Sequence, residues 1–596
     1  MSDESNKGID GRLLKRIITF LLPYKKWVAV ASVSVIVAAF LGPLLPKLVQ
    51  ITIDRDVVSG DIEGLQKMIV LLVILLVAEG LLSFVNTYLT QWIGQQAIYD
   101  LRKRLYRHIQ SQSLRFFDST PVGRLITRVT SDVESLSQVL SAGVVTILGD
   151  LFKIIFIAWF MFSLNWRLAL VSLSVLPFLM WATFWFKNRV RVAYRDTRKQ
   201  VARLNSFLQE HVTGMKIVQL FGREAEEKER FEAINDDHQQ AHIKTIFYFA
   251  LFFPLADLVS SVALGLVIWT GGLNAMSGTL TLGVLIAFIQ YVRQFFEPIR
   301  NLSDQFNTLQ SAMAGAERIF DLLDKDDSIP QSDHPVELSD VKGRIEFKNV
   351  WFSYDKDVDP ADDDAKWILR DVSFVIEPGQ SLAIVGATGA GKTTIISLLL
   401  RFYDVQRGQI LVDGISISEV RMADLRSHIG LVLQDVFLFS GTVRENISLR
   451  NPDVSDEKIS QAARLTGAAP FIENLAGGYD YQVKERGISL SHGQRQLLSF
   501  VRTLVYDPKI LVLDEATSSV DTETEEVIQT AMETLMEGRT TVAIAHRLST
   551  IQHADKILVM HRGMVRESGT HQQLIAQEGL YRKLYELQYR DQEVAA

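Results

Sequence analysis

The chain has no cysteine, which excludes disulfides, thiolate metal sites and cysteine-nucleophile chemistry. Its start has no apolar secretory run: residues 1–11 are polar, so entry into a membrane is expected to be directed by internal spanning helices. A basic surplus is also missing. Lys and Arg number 62 against 69 Asp and Glu, a formal net charge of −7, which leaves no footprint for nucleic acid. Charged residues make up 22% and the mean hydropathy is +0.14, averages that conceal two dissimilar halves. With 596 residues, two or more domains are expected.

The first half is built of apolar runs. A spanning helix needs about 20 mainly apolar residues, and six stretches are read as spans: 27–45, 68–84, 151–164, 168–186, 246–269 and 280–296. The third and fourth flank the polar turn Asn165-Trp166-Arg167 and form a helical hairpin. Before the first, residues 12–24 mix Arg12, Lys15 and Arg16 with leucine and isoleucine, a pattern suited to a helix lying on the membrane surface.

Basic residues set the orientation. Lys25 and Lys26 precede the first span; Arg102, Lys103, Arg104 and Arg107 follow the second; Lys187, Arg189, Arg191, Arg195 and Arg198 follow the fourth. The loop at 271–279 carries no charge. Both termini and the two long connections are therefore expected in the cytoplasm of a multi-pass protein of the cell membrane. Those connections keep an apolar helical period, so the spanning helices are expected to continue past the bilayer and turn at tips near 116–124 and 209–214. Four ionisable groups fall inside spans. Asp150 and Lys153 have the spacing to pair along one helix; Glu79 and Asp257 suit either a water-filled substrate path or an interhelical hydrogen bond.

In the second half, an apolar strand-like run at 381–385 is followed by Gly386-Ala387-Thr388-Gly389-Ala390-Gly391-Lys392-Thr393-Thr394 and then an apolar helix start. This is G-x-x-x-x-G-K-[ST] in its strand–loop–helix setting, a phosphate-binding loop. Its glycines let backbone N–H groups point at phosphate oxygens at a helix N-terminus. Lys392 is placed to reach the β- and γ-phosphates and Thr393 to hold Mg²⁺. Farther on, the strand at 509–513 ends in Asp514 and Glu515. Asp514 is the expected second Mg²⁺ ligand, and Glu515 the general base for the attacking water. The six aspartates between Asp355 and Lys366 read as an acidic surface loop.

The run Leu490-Ser491-His492-Gly493-Gln494-Arg495-Gln496 resembles the signature of ATP-binding-cassette proteins. Tyr354 resembles the aromatic that stacks on adenine, and Gln434 the glutamine that senses Mg²⁺ and the membrane domain. Glu485-Arg486-Gly487 resembles the segment that meets the cytoplasmic tips in exporters, Ser518 to Asp521 the loop that crosses the dimer, and His546 the switch histidine at the γ-phosphate. The segment 116–132, with Thr120-Pro121-Val122-Gly123-Arg124, is similar to the first coupling region of the exporter branch. One departure stands out: His492 occupies the first of the two signature glycines.

The resemblance covers essentially the whole chain and implies a half-transporter. Its fold is expected to be an all-α six-helix membrane domain of the type I exporter (type IV) class, followed by an α/β P-loop domain. The expected divisions are 1–26 for the N-terminal segment, 27–322 for the membrane domain, 323–343 for a linker and 344–596 for the ATP-binding domain. ATP and Mg²⁺ are the implied ligands. Glu515, His546 and Lys392 are implied for catalysis, and Tyr354, the phosphate loop, Gln434, Ser491, Gly493, Gln494 and Asp521 for the nucleotide. The signature of one chain faces the phosphate loop of another in this family, so a second chain, like or unlike, is the expected partner. The function implied is export of hydrophobic or amphipathic molecules such as drug-like compounds or lipids. The alternatives are an ATP-gated channel or sensor, and a peptide exporter without a peptidase domain.

Overall fold

The computed structural model describes residues 11–588 apart from 357, 360, 363–364, 515–521 and 546–547. It falls into two compact units, one of Met1–Ile109 with Gly123–Lys325, the other of Gln110–Val122 with Asp326–Ala596.

The first unit is helical because its apolar runs leave the backbone no partner but itself. Among the described residues, five helical stretches are long and apolar enough to cross a membrane: Leu22–Val57, Ile62–Ser111, Val122–Leu164, Trp166–Thr213 and Glu224–Met276. The longest has 53 residues, roughly 80 Å at ~1.5 Å per residue against a hydrocarbon core of ~30 Å. The sixth expected span, 280–296, lies in the long helix Leu282–Asp324. There Gln290, Arg293, Gln294 and Glu297 dilute the apolar run, so length and composition alone do not mark it as a span.

Two local expectations change. The fourth span is broken into Trp166–Leu173 and Leu176–Thr213, because Pro177 has no N–H to donate and starts a new helix. Lys153 does not pair with Asp150 along its own helix; its Nζ lies 3.1 Å from the Glu297 carboxylate on another. Asn165 ends the third span as expected, its Oδ1 accepting from the N–H groups of Arg167 and Leu168.

Helices Leu176–Thr213 and Glu224–Met276 run antiparallel, as their cross-contacts record. Phe186 stacks on Phe252 at 4.1 Å, Thr197 meets Thr245 at 3.1 Å, Arg203 pairs with Asp237 at 2.8 Å and His211 with Glu227 at 2.7 Å. The short helix Met215–Leu220 closes the hairpin with no buried residue. The N-terminal helix Gly11–Thr19 is more than a surface float. Ile17 is buried, and Arg16 lies 4.1 Å over the Phe320 ring with both terminal nitrogens 2.7 Å from Asp324.

Among the described residues, the second unit carries twelve strands in chain order: β1 (Ile345–Phe352), β2 (Leu369–Ile376), β3 (Ser381–Val385), β4 (Arg407–Val412), β5 (Ile415–Ser416), β6 (Ile429–Val432), β7 (Gly441–Thr442), β8 (Gln482–Val483), β9 (Ile510–Asp514), β10 (Thr540–Ile544), β11 (Lys556–His561) and β12 (Met564–Gly569). One sheet is antiparallel, β2-β1-β4-β5; the main sheet runs β12-β11-β3-β10-β9-β6; β7 and β8 pair alone. Neighbours from β11 to β6 are parallel. The residues of β3, β9, β10 and β11 are almost wholly buried, as strands covered on both faces must be. Strand β1 is bulged where Asn349 takes φ +45°.

The segment expected as a linker is strand-free and tied down at both ends. Buried Arg401 donates to the Pro330 carbonyl at 2.7 Å, and the Asp413 carboxylate accepts from the N–H groups of Lys342, Gly343 and Arg344.

Candidate nucleotide site

The parallel register sets the site. Ile384 of β3 pairs with Ile544 of β10, which pairs with Asp514 of β9, and Leu513 pairs with Val432 of β6. The phosphate loop after β3, Asp514, and the turn holding Gln434 after β6 therefore leave the sheet at one edge, the carboxyl end where such sheets bind ligands.

The loop needs its glycines. Gly386 has φ +152°, and a Cβ there would lie 2.3 Å from the Met560 carbonyl oxygen; at Gly391, φ +100°, it would lie 2.6 Å from Leu369 Cδ2. Gly389 has φ +79° and sits with Thr388 on the exposed crown, while Ala390 is buried. Helix Lys392–Leu399 starts directly behind, and the N–H groups of its first turn have no acceptor within the helix. Lys392 is buried, and its ammonium donates to the carbonyls of Gly386 at 2.6 Å and Ala387 at 3.3 Å. Burial pushes its pKa down, and the nearby Asp514 charge opposes that shift. A buried cation folded back on its own loop is a group awaiting anionic oxygen, so the residues present fit a phosphate chain.

Thr393 is exposed beside it, and Thr394 is buried, with its Oγ1 3.1 Å from the Tyr354 hydroxyl. Tyr354 is 43% exposed. The rings of Phe352 and Tyr403 meet it edge-on at 4.9 and 5.2 Å. Gln434 is exposed. Glu515, Asp521 and His546 lie outside the described residues.

The signature stands on its own element. Ser491 caps helix His492–Val505 through a reciprocal box: Ser491 Oγ accepts from Gln494 N–H at 3.2 Å, and Gln494 Oε1 accepts from Ser491 N–H at 3.0 Å. Sequence reasoning placed Gln494 at a nucleotide; here its side chain serves the cap that orients Ser491. Gly493 is buried and His492 half-buried. Behind them, Arg495 donates to the Leu490 carbonyl at 2.8 Å. Glu485 and Arg486 form an exposed turn, with Arg486 at φ +56°.

Missing from the sequence reading were Tyr403 and Asp118. The Tyr403 hydroxyl donates to the Asp118 carboxylate on the short helix Leu114–Ser119, 285 residues earlier in the chain. No local pattern marks such a pair.

Residues 28–299 match the family model described as the ABC transporter transmembrane region, and 369–518 match the one described as ABC transporter. The chain is 37% identical to an uncharacterized ABC transporter ATP-binding protein, YknV, of Bacillus subtilis over 96% of its own length and 94% of that protein. The chain belongs to the ABC transporter family. This ABC transporter chain is also 36% identical to the ATP-dependent lipid A-core flippase of Syntrophus aciditrophicus, covering 99% of this chain and 96% of the flippase. To a putative multidrug export ATP-binding/permease protein of Staphylococcus aureus it is 38% identical, over 97% of this chain and all of that one. A solved bacterial Atm1-family ABC exporter with ATP bound superimposes with a TM-score of 0.75 and 28% identity, covering 95% of this chain and 98% of that one. The fold is therefore that of an exporter membrane domain followed by an α/β ATP-binding domain, in a multi-pass membrane protein.

Proposed function

We propose that this chain is one half of a dimeric exporter that uses ATP to move hydrophobic or amphipathic molecules, lipid or drug-like, across the cell membrane. The observation that carries the reading is the union in one chain of apolar helices 36 to 53 residues long with a phosphate loop at the carboxyl edge of a parallel sheet. The relatives named for multidrug export and for lipid flipping support the cargo class. The basic connections after the second and fourth spans support a cytoplasmic ATP-binding domain.

In this reading the membrane domain occupies 27–322 and the ATP-binding domain 344–596. Lys392, with the backbone of Gly386 to Thr394, binds the phosphates, and Tyr354 stacks on the base. Thr393, Gln434 and Asp514 are the residues to hold Mg²⁺, which when bound shields phosphate charge. Glu515 takes the proton of the attacking water, and His546 and Asp521 complete the site. Ser491 and Gly493, presented by the Gln494 cap, face the phosphate loop of a second chain. ATP drives the cycle only if it binds the closed dimer more tightly than the open one.

The test is transport in proteoliposomes holding the purified chain alone. Mg-ATP should drive accumulation of an amphipathic dye or flipping of a labelled lipid, and Glu515→Gln should stop it after one turnover. Undiminished multiple-turnover transport by Glu515→Gln would favour nucleotide-gated permeation. An inactive monomer would show that an unlike chain is required.

A further inference from the structure

The segment Gln110–Val122 packs with the ATP-binding unit and reaches the nucleotide site by a continuous line of side chains. The Asp118 carboxylate accepts from the Tyr403 hydroxyl. Arg115, one turn earlier, lies 5.7 Å from the Tyr403 ring centroid. The Tyr403 ring meets Tyr354 edge-on at 5.2 Å, and the Tyr354 hydroxyl is 3.1 Å from Thr394 Oγ1 on the phosphate-loop helix. Tyr403 is buried at 4% exposure, so its hydroxyl needs a fixed acceptor.

A second tie runs in parallel. Gln112 Oε1 accepts from the Asp327 N–H at 2.8 Å, and the Ser113 N–H donates to the Asp327 carbonyl at 3.2 Å. The Asp327 carboxylate lies 3.2 Å from Lys356 Nζ, two residues past Tyr354. The same tip segment thus holds the strand end that carries Tyr354 from both sides.

We propose that Asp118 and Tyr403 are positioning residues for the base-stacking aromatic: Asp118 fixes Tyr403, Tyr403 fixes the angle of Tyr354 over the phosphate-loop helix, and placement of the tip segment is thereby linked to affinity for the adenine ring. The inference rests on Tyr354 as the base-stacking residue. By linkage, whatever shifts the tip segment changes ATP affinity by the same factor that ATP changes the tip. The phosphate contacts of Lys392 lie outside this line, so affinity for phosphate alone is left untouched.

The test compares two ligands on the full chain in lipid nanodiscs: ATP, and inorganic tripolyphosphate, which has the phosphates and no base. Tyr403→Phe keeps the ring and removes the hydroxyl; Asp118→Leu keeps the bulk and removes the acceptor. Each should weaken ATP binding roughly three- to tenfold, the range for one lost buried hydrogen bond, with tripolyphosphate binding unchanged. The double variant should be no worse than the more severe single one, since both break one line. Equal weakening of both ligands, additive losses, or unaltered ATP affinity would overturn the proposal. Tyr354→Ala is the control: if it leaves the preference for ATP over tripolyphosphate intact, the base-stacking reading fails and this inference with it. Binding is read without transport, so a chain that binds ATP in this pattern yet moves no cargo would sink the export reading alone.

Discussion

The Asp54 carboxylate caps the start of helix Leu282–Asp324: its Oδ1 accepts from the Gly283 N–H at 2.9 Å. Its Oδ2 accepts from the Thr281 hydroxyl at 2.5 Å and from Gln50 Nε2 at 2.6 Å. Two helices far apart in sequence are thereby pinned end to end. A Cβ on residue 283 would lie 2.6 Å from both Asp54 Oδ1 and the Gln50 carbonyl oxygen. Gly283→Ala is therefore expected to force these ends apart at a cost of about 1–3 kcal/mol. Asp54→Ala, which removes these contacts and leaves only the Thr281 hydroxyl on the Val284 N–H, should cost about 1–2 kcal/mol. Thermal unfolding of the protein in nanodiscs reads both as lowered midpoints. A midpoint unmoved by Gly283→Ala would show that the approach of the two helices is not needed.

Lys392→Met separates nucleotide binding from folding. The side chain stays long and apolar, while the ammonium that donates to the carbonyls of Gly386 and Ala387 is gone. Burial lowers the pKa of that ammonium, so the folded state holds the charge at a cost below the usual lysine range, and the cost fades as pH rises. Removing the charge should leave the nucleotide-free midpoint unchanged or raised at pH 7. ATP at a hundred times its dissociation constant stabilises a binding protein by about 2.7 kcal/mol; the variant should lose this stabilisation, and hydrolysis should fall by roughly 100-fold or more. A variant that ATP still stabilises fully would remove Lys392 from the site.

The phosphate loop was legible because its determinants are local: glycines at fixed spacing, between an apolar strand and an apolar helix. The buried parallel strands and the capped break at Asn165 were legible for the same reason. The misreadings share one physical cause, the choice of a sequence neighbour where a spatial one wins. Lys153 has Asp150 three residues away, yet pairs with Glu297. Tyr403 and Asp118 lie in segments with no common pattern, so only the folded chain brings them together. Pro177 did announce the break before Leu176, and a long apolar run masked that signal.

Asp132 is a buried carboxylate held by two arginines, Arg128 at 2.7 Å and Arg318, whose Nε lies 3.1 Å from Oδ2. Burial pushes its pKa up, and the hydrogen bonds and charges of Arg318 and Arg128 outweigh burial, so the carboxyl is held below its usual value. Its contribution is then present above the unfolded carboxylate range, about pH 4, and lost as pH falls through the lower folded value. Arg318 is 43% exposed, which screens part of the attraction. Asp132→Asn should cost about 1–3 kcal/mol at pH 7, read as a lowered unfolding midpoint. The deficit should shrink below about pH 4 as the native carboxylate protonates. A deficit that is the same at pH 3 and pH 7 would mean packing, not charge, holds this joint.

The hairpin that ends in Met215–Leu220 is clasped by His211, and its protonation decides how well. His211 Nδ1 lies 2.9 Å from the Phe207 carbonyl oxygen, which only an Nδ1–H can donate to, and Nε2 lies 2.7 Å from Glu227 Oε2. A neutral ring with its proton on Nδ1 would turn a lone pair towards a carboxylate, so the clasp is complete only in the imidazolium. The Phe207 carbonyl raises the pKa of His211, burial opposes it, and the Glu227 and Glu210 carboxylates raise it further. Arg230 at 2.8 Å shares Glu227, and the rings of Phe207 and Phe231 cover the rest of the joint. A raised folded pKa gives stability that is fully present below the unfolded histidine value, about 6.5, and is lost as pH rises through the higher folded value. Backbone hydrogen exchange across residues 205–232, corrected for its intrinsic pH dependence, should therefore be faster at pH 8.5 than at pH 6. His211→Asn should abolish that difference and exchange fast at both. Equal protection at the two pH values in the unaltered chain would show that the Glu227 contact holds without the proton, and that the hairpin is set by its phenylalanines alone.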